Sequence, residues 1–296
     1  ETLMHPAPSV IIFTVFSGLG FGMLVFLGLG LPPVTGWTAF FFYLAAYAMA
    51  VGGLMASAFH LGNPQRALKA FTQWRTSWLS REAWVSVAAL AVMGIHAFAA
   101  VFFGAILAPI GWLGAGLSVF AVYCTSMIYA QLKTVPRWNT WLTPLHLITL
   151  SFGGGAALMG HTSLAGLLIV LAAALQVAHW QVGDRALARS GTTLASATGL
   201  GNRGRVTAFE PPHTGSNYLL KEMVYTVGRG HAAKLRLIAL VLGYGIPGVL
   251  LLLPIPGVWP SLIAVPSHII GILAARWLFF AQAEHVVGLY YGKHAA

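Results

Sequence analysis

The strongest constraint on the fold of this chain is a series of eight long apolar runs, separated by short polar or proline-containing connections. Each run is close to the roughly 20 residues that an α-helix needs to cross the hydrocarbon core of a bilayer. The series therefore predicts an all-α, polytopic integral membrane protein with eight transmembrane helices. The predicted spans are residues 7–30, 37–59, 83–104, 109–132, 143–161, 163–183, 236–254 and 261–284.

Composition supports a helical membrane protein. Hydrophobic residues make up 58% of the 296 residues and charged residues only 7%, whereas a soluble domain carries about 25% charged residues because its surface faces water. A membrane β-barrel would show alternating segments of about 10 residues, shorter than these runs. We therefore interpret residues 1–296 as a single membrane domain. The division between the fifth and sixth spans depends on a short polar stretch at residues 160–163, and a count of seven would put the termini on opposite sides.

The distribution of positive charge predicts the orientation of the bundle. Lys and Arg occur in the connections after the second, fourth and sixth spans and are absent from the connections on the other face. Cytoplasmic connections are enriched in Lys and Arg, so we expect both termini in the cytoplasm and a multi-pass protein of the bacterial inner membrane. The cytoplasmic connections hold the positive charge, and contact with anionic lipid head groups explains the net charge of +10. Nucleic acid is therefore not an expected partner.

The first basic connection, residues 60–82, combines an imidazole, cations, a carboxylate and tryptophans at the membrane surface. Such a mixture suits an amphiphilic ligand such as a quinone, whose head group needs hydrogen-bond partners and a proton route while its tail needs lipid. The alternative is an ordinary interface, in which Trp74, Trp78 and Trp84 form an aromatic belt and the arginines bind lipid phosphates.

Several motifs, in chain order, resemble the membrane-anchor subunit of the dimethyl sulfoxide reductase type, the DmsC family. They are His60-Leu-Gly-Asn-Pro-Gln-Arg66, Trp74-Arg75-Thr-Ser-Trp-Leu-Ser80-Arg81-Glu82, Thr134-Val-Pro-Arg-Trp138, Trp141-Leu-Thr-Pro144 and Arg276-Trp-Leu-Phe-Phe280. The resemblance runs through nearly the whole chain. It implies an anchor without haem or metal that binds a quinone, either ubiquinone or menaquinone. It also implies two partners, a four-cluster iron–sulfur subunit and a catalytic subunit that holds molybdenum bis-pterin-guanine-dinucleotide.

The resemblance also implies the candidate site residues. His60 matches the family histidine implicated in quinol chemistry, and Arg66 and Arg276 match family arginines. The remaining quinone-binding candidates are placed in the site because they share its connection: Trp74, Arg75 and Arg81.

The chemistry of these side chains predicts their roles. His60 would exchange the proton, since imidazole changes charge near neutral pH, and Arg66 or Arg81 would polarise a quinone carbonyl. Glu82 is interpreted as the charge partner of an arginine, with a proton relay as the alternative. Arg276 lies within the last apolar run, where a cation needs a partner. Glu284, two turns later, is the candidate partner, and snorkelling of the arginine is the alternative.

Orientation indicates the branch of the family. An anchor whose partner docks on the cytoplasmic face resembles the anchor of the sulfite-oxidising complex. In that complex sulfite is oxidised to sulfate and the anchor reduces quinone. The start Met4-His-Pro-Ala-Pro-Ser9 resembles that branch as well. The alternative within the family is a quinol-oxidising anchor of a reductase for dimethyl sulfoxide or trimethylamine oxide.

Three further functions stay open at the level of sequence. The histidines suggest the hypothesis of a haem-carrying anchor, in which two imidazole rings at equal depth would bind the iron. The glycines, Arg276 and an interrupted helix near Gly243 and Pro247 are also typical of a small-solute transporter. A structural tether is the third alternative. A structural feature also calls for an interpretation, the long connection at residues 184–235. We interpret it as a docking surface for the iron–sulfur subunit, with disorder as the alternative.

Overall fold

The computed structural model describes residues 6–60, 63–207, 209–210, 231–255 and 257–290, without the side chains of His60 and Pro64. Within these ranges the regular structure is entirely helical. Eight long helices, numbered here in chain order, are α1 (Pro8–Gly28), α2 (Gly36–Ala56), α3 (Trp78–Phe103), α4 (Ala108–Ala130), α5 (Leu142–Leu158), α6 (Thr162–Gly183), α7 (Ala232–Leu252) and α8 (Trp259–Ala281).

Seven of these helices are long and apolar enough to cross a membrane. The exception is α5, which is apolar but has 17 residues. The predicted break between the fifth and sixth runs is present, because Gly160 adopts a positive φ of 79° between α5 and α6. Several predicted boundaries differ from the structure by a few residues, and α7 begins at Ala232 rather than at residue 236. Helix α3 begins at Trp78, about one turn before the predicted start, and α5 ends before the predicted residue 161.

Helix α1 is the centre of the bundle and packs against α2, α4, α5 and α8. Small residues make this packing close, as expected where lipid provides no hydrophobic drive for helix association. Gly22 shows the requirement most directly, since a Cβ atom there would overlap the carbonyl of Ser151 in α5.

The connections that contain Lys and Arg meet at one end of the bundle, called the basic end here. Arg137 of the α4–α5 connection contacts Asp184 after α6 at 2.9 Å and Glu284 after α8 at 3.9 Å. Arg236 in the first turns of α7 contacts the same Asp184 at 2.6 Å. Glu82 near the start of α3 accepts a hydrogen bond from Thr125 near the end of α4, so the first connection lies at this end as well.

Helix α7 is interrupted by a π-helical turn at Val241–Gly245. Side chains of α8 bind carbonyls of this turn: Ser267 donates to the Leu242 carbonyl at 2.7 Å, and His268 Nδ1 lies 2.5 Å from the Gly243 carbonyl oxygen. The interruption that the sequence suggested near Gly243 is therefore real, and α8 satisfies its backbone.

The long connection between α6 and α7 is partly helical where the structure describes it. It contains short α-helices at Ala186–Arg189 and Leu194–Thr198 and a 3-10 turn at Gly201–Arg203. The hydroxyl of Thr193 caps the second helix by accepting from the backbone N–H of Ser196 at 3.2 Å, and a C-terminal helix at Val287–Tyr290 packs against it. Residues 208 and 211–230 of this connection lie outside the described residues.

Candidate functional site

A cavity of about 720 Å³ lies at the basic end, called the α2–α3 cavity here. It is enclosed by the end of α2, the 3-10 helices Ser57–His60 and Pro64–Phe71, and the start of α3. Its wall includes polar residues of the first basic connection and of α3 together with apolar residues deeper in the bundle. The polar residues are Ser57, Asn63, Arg66, Lys69, Gln73, Ser77, Glu82 and Ser86. The volume is within the range of small-molecule and cofactor sites, roughly 300–1,000 Å³.

Glu82 is the buried carboxylate of this cavity. Its side chain accepts a hydrogen bond from the Thr125 hydroxyl of α4, and no Lys or Arg among the described residues lies within ion-pair distance of it. The interpretation of Glu82 as the charge partner of an arginine is therefore wrong for the described part of the chain. The Glu82 carboxyl group is held by a hydroxyl at the wall of the cavity.

Ser86 is a residue of this wall that sequence reasoning missed. It is 2% exposed, and its hydroxyl has no hydrogen-bond partner within the described chain. It lies one turn after Glu82, so both side chains project from the same side of α3. The helical spacing of Glu82 and Ser86 is the sequence signal that could have found it.

Arg66 lines the α2–α3 cavity, and His60 lies close to its lining residues in the chain. Arg66 lines it from the 3-10 helix Pro64–Phe71. His60 ends the preceding 3-10 helix, and Ala58 and Asn63 on either side of it line the cavity. The His60 side chain lies outside the described residues, so its predicted contact with a quinone stays a prediction. The structure brings Arg66 and Glu82 to one cavity, with the His60 backbone at its edge.

Arg81 has a different position from the one the sequence suggested. Its guanidinium donates to the carbonyls of Trp74 at 3.0 Å and Arg75 at 2.7 Å and stacks over Trp78 at 4.4 Å. These contacts fold the connection back onto α3, and Arg75 lies over the ring of Trp74 at 5.4 Å.

Trp74 and Arg81 line a neighbouring cavity of about 480 Å³, together with Phe71, Trp84, Val85 and Phe120. Trp74, Arg75 and Arg81 are not among the residues of the α2–α3 cavity. The prediction that these three residues share one site with Arg66 is therefore corrected. They belong to the same connection, but Arg81 donates its hydrogen bonds to carbonyls of that connection and not into the α2–α3 cavity.

Arg276 is also separate from the α2–α3 cavity. It is 3% exposed, and its Nε donates to the Thr14 hydroxyl at 3.1 Å while Phe279 lies 4.0 Å from its guanidinium carbon. Its Nη2 has no hydrogen-bond partner among the described residues. The predicted partner Glu284 instead contacts Arg137, so the pairing of Arg276 with Glu284 is wrong. The alternative, snorkelling, is wrong as well, because Arg276 is buried within the bundle.

Arg276 lines a small chamber of about 20 Å³, with Thr14, Ser17, Thr125 and Ser151 on its wall. The chamber exceeds the roughly 10–15 Å³ that one water molecule requires. Thr125 lies on this chamber and also donates to Glu82. Arg276 therefore lies behind Glu82, on the far side of Thr125, rather than in the cavity.

A cluster of ion pairs joins the connections at the basic end. Arg137 is buried against Gly183, where a Cβ atom would crowd its side chain at 2.9 Å. Arg236 binds Asp184 through two hydrogen bonds of 2.8 and 2.6 Å and donates to Gln282 at 3.1 Å. Hydrogen bonds from Arg236, and then from Arg137, hold the pKa of Asp184 below its ordinary value.

The buried histidines of the bundle are engaged by hydroxyls and a carbonyl. His96 Nδ1 lies 2.6 Å from the Tyr43 hydroxyl, His146 Nε2 lies 3.1 Å from the Tyr244 hydroxyl, and His179 Nε2 lies 3.2 Å from the Thr143 hydroxyl. His268 binds the π turn of α7. These contacts favour a role in packing.

The fold and the site define a class of protein: a multi-pass helical membrane protein whose basic end holds a cavity lined by both polar and apolar residues. The family model described as "DMSO reductase anchor subunit (DmsC)" matches residues 2–182. A sulfite dehydrogenase subunit of Allochromatium vinosum is 31% identical over 324 aligned positions, which cover 97% of this chain and 99% of that relative. No solved structure matches. The chain belongs to the DmsC family of membrane anchors, as the motifs around His60 and Arg81 predicted.

Proposed function

We propose that this chain is the quinone-binding anchor of a molybdenum and iron–sulfur oxidoreductase that oxidises sulfite and reduces quinone. The α2–α3 cavity carries the proposal, because it presents Arg66 and Glu82 beside an apolar wall at the end where a partner would dock. Membership of the anchor family and the likeness to a sulfite dehydrogenase subunit support the choice of complex and substrate.

The residues of this chain would bind the quinone head group and move its protons. A quinone bound there would take up electrons together with protons. Glu82, held by Thr125, would hold a proton at a carboxyl oxygen on the cavity wall, and Arg66 would donate hydrogen bonds to a carbonyl oxygen at the mouth. His60, carried over from the family motif, would exchange protons with cytoplasmic water.

The partners would dock at the basic end. We propose an iron–sulfur subunit with four clusters and a catalytic subunit with molybdenum bis-pterin-guanine-dinucleotide, and no haem in this chain. Electron transfer slows steeply with distance, so a quinone site in an anchor without metal must lie close to the docked cluster. The α2–α3 cavity meets this requirement because the first basic connection covers it.

The contacts at the basic end support eight crossings with both termini in the cytoplasm. Arg137 before α5 and Asp184 after α6 are in contact, so α5 and α6 together leave the basic end and return to it. Glu284 after α8 also contacts Arg137, and Thr14 in the second turn of α1 bonds Arg276 near the end of α8. We therefore propose an even number of crossings of the bacterial inner membrane, with the basic end in the cytoplasm.

The alternatives differ in what supports them. A quinol-oxidising reductase anchor would use the same cavity in the opposite direction. A solute transporter has less support, because the carbonyls of Leu242 and Gly243 in the interrupted helix are bound by α8 rather than presented to a substrate.

The test compares Glu82→Gln and His60→Ala with the control Glu284→Gln in membranes that contain the assembled complex. Sulfite-dependent reduction of quinone should fall on the order of 10²-fold in both cavity variants, while reduction of a water-soluble acceptor by the catalytic subunits stays unchanged. Glu284→Gln should retain quinone reduction, since Glu284 faces Arg137. Normal quinone reduction in both cavity variants would overturn the proposal, and quinol oxidation without sulfite activity would reverse its direction.

A further inference from the structure

The wall of the α2–α3 cavity changes from polar to apolar with depth. Arg66, Ser77 and Glu82 lie toward the basic end, and Leu54, Val51, Val87 and Leu90 line the cavity deeper in the bundle. From Glu82 to Leu90 the α3 wall extends about 12 Å along the helix axis at 1.5 Å per residue. This order of polar and apolar groups is that of a molecule with a polar head and a long apolar tail.

The cavity opens sideways into the lipid between α2 and α3. Val87 lines it and is nevertheless 50% exposed, and Met55 and Leu79 combine a position on the wall with an exposed surface. Below the opening the two helices are joined, because the Tyr47 hydroxyl of α2 donates to the Leu90 carbonyl at 2.6 Å. An occupant that extends beyond the cavity would therefore leave it through the lateral opening at Val87.

Ser86 marks the depth to which a polar group can descend. A hydroxyl buried without a hydrogen bond is costly, because it has lost water and gained nothing in return. The Ser86 hydroxyl is in this situation within the described chain, and it lies on the cavity wall one turn below Glu82. A carbonyl oxygen of a bound head group would accept the missing hydrogen bond.

We infer that the quinone enters from the bilayer between α2 and α3, accepts a hydrogen bond from Ser86, and extends its isoprenoid tail past Val87. The inference rests on the proposed function and adds to it a binding residue, an entry route and the part of the protein that selects for the tail. Val87 is a specificity-determining residue in this arrangement, since it lies where the tail crosses from the cavity into lipid.

The first experiment measures quinone reduction by the complex carrying Val87→Trp, with a long-tailed quinone and with an analogue that lacks the tail. We expect the KM for the long-tailed quinone to rise on the order of tenfold, because an indole in the opening competes with the tail, while the KM for the tail-less analogue is unchanged. Ile95→Trp is the matched control, since Ile95 is on the same helix and is 56% exposed but does not line the cavity.

An equal effect of Val87→Trp on both quinones, or no effect on either, would overturn the entry route. An effect of Ile95→Trp as large as that of Val87→Trp would also overturn it, because the change would then reflect bulk on the lipid face. The Glu82→Gln variant distinguishes failure of the proposed quinone site from failure of the tail route. Loss of quinone reduction in Glu82→Gln with a normal Val87→Trp leaves the proposed function in place and rejects the tail route.

The second experiment compares Ser86→Ala with Ser80→Ala. Both hydroxyls are buried without a partner in the described chain, but only Ser86 lines the cavity. Ser86→Ala should raise the KM for long-tailed and tail-less quinones alike, about two- to tenfold for the loss of one hydrogen bond, and Ser80→Ala should not. Equal behaviour of the two variants would reject Ser86 as a ligand of the head group.

Discussion

Arg276 and Glu82 are buried charged groups that the bundle treats in different ways. Arg276 is surrounded by the faces of Phe279, Phe280 and Tyr129 and bonds Thr14. Glu82 has a hydroxyl partner and a large cavity beside it. The arginine is thus fixed in place by packing, whereas the carboxyl group has space for a ligand. Only the second arrangement suits direct chemistry with a bound molecule.

The surroundings of Arg276 predict a contrast between two substitutions. Thr14→Val removes the hydroxyl that Nε bonds and leaves more of the buried cation unsatisfied, so we expect the complex to lose about 1–3 kcal/mol of stability. Arg276→Met removes the charge itself and keeps an unbranched apolar side chain, so we expect a smaller loss, since the desolvation cost of the buried cation disappears with its charge.

Thermal unfolding of the detergent-solubilised complex measures both variants. Thr149→Val is the control for the loss of a hydroxyl, because among the described residues Thr149 bonds only the Leu145 carbonyl of its own helix. A larger loss of stability in Arg276→Met than in Thr14→Val would show that the guanidinium itself stabilises the bundle.

At the scale of elements, the connections are held together by the cluster around Asp184. Arg137 and Arg236 reach Asp184 from the α4–α5 connection and from α7, and the backbone N–H of Val286 donates to the Thr134 carbonyl at 2.9 Å. The helices themselves need no such ties, because lipid and close packing hold them. The cluster instead fixes the polar segments that form the surface of the basic end.

The cluster predicts a loss of stability in Asp184→Asn. Arg137 is buried and would keep no strong anionic partner, so we expect a loss of about 1–3 kcal/mol, less than for a fully buried pair because the Asp184 side chain is 42% exposed. Glu284→Gln should cost less, since Glu284 and Arg137 are 3.9 Å apart. Thermal unfolding at neutral pH compares the two, and an equal loss would contradict the ranking.

The stability that Asp184 contributes depends on pH. The pKa of Asp184 in the folded protein is lowered, chiefly by the hydrogen bond from Arg236. Its contribution is therefore complete above the ordinary Asp value of about 3.9 and is lost as the pH falls through the lower folded value. The difference in stability between the wild type and Asp184→Asn should shrink over that acidic range.

At the scale of the whole molecule, the number of crossings decides where the partners are. Helix α5 has 17 residues, about 26 Å at 1.5 Å per residue, slightly less than the roughly 30 Å hydrocarbon core. It packs beside α1 and α6, which are both long enough to span. A short helix between two longer ones can cross where the surrounding bundle, rather than lipid, covers its ends.

Reporter fusions test this topology. An alkaline phosphatase fused after Gly160 should be active, because eight crossings place the α5–α6 turn in the periplasm, while a fusion after Leu200 should be inactive. A fluorescent protein fused at the same two positions should give the reciprocal result. An inactive phosphatase at Gly160 would mean that α5 does not cross, and an active one at Leu200 would reverse the orientation.

The sequence by itself determined the helices, the sidedness of their charge and the family. Each apolar run forms a helix because its backbone has no other partner in lipid, and the positive connections are a local property that needs no tertiary contact. The motifs around His60 and Arg81 were sufficient to indicate the DmsC family, and the family model confirms it.

Only the tertiary structure decided which side chains share a cavity. It places Arg66, Glu82 and Ser86 on the wall of one cavity and places Arg81 and Arg276 outside that cavity. It also shows that Glu284 contacts Arg137. The physical reason is that helices in lipid are apolar on the outward face as well as the inward face, so hydropathy does not tell which face of α3 or α8 points inward. That rotation is set by small-residue packing and by single polar contacts such as Thr125 to Glu82, and these join residues far apart in the chain.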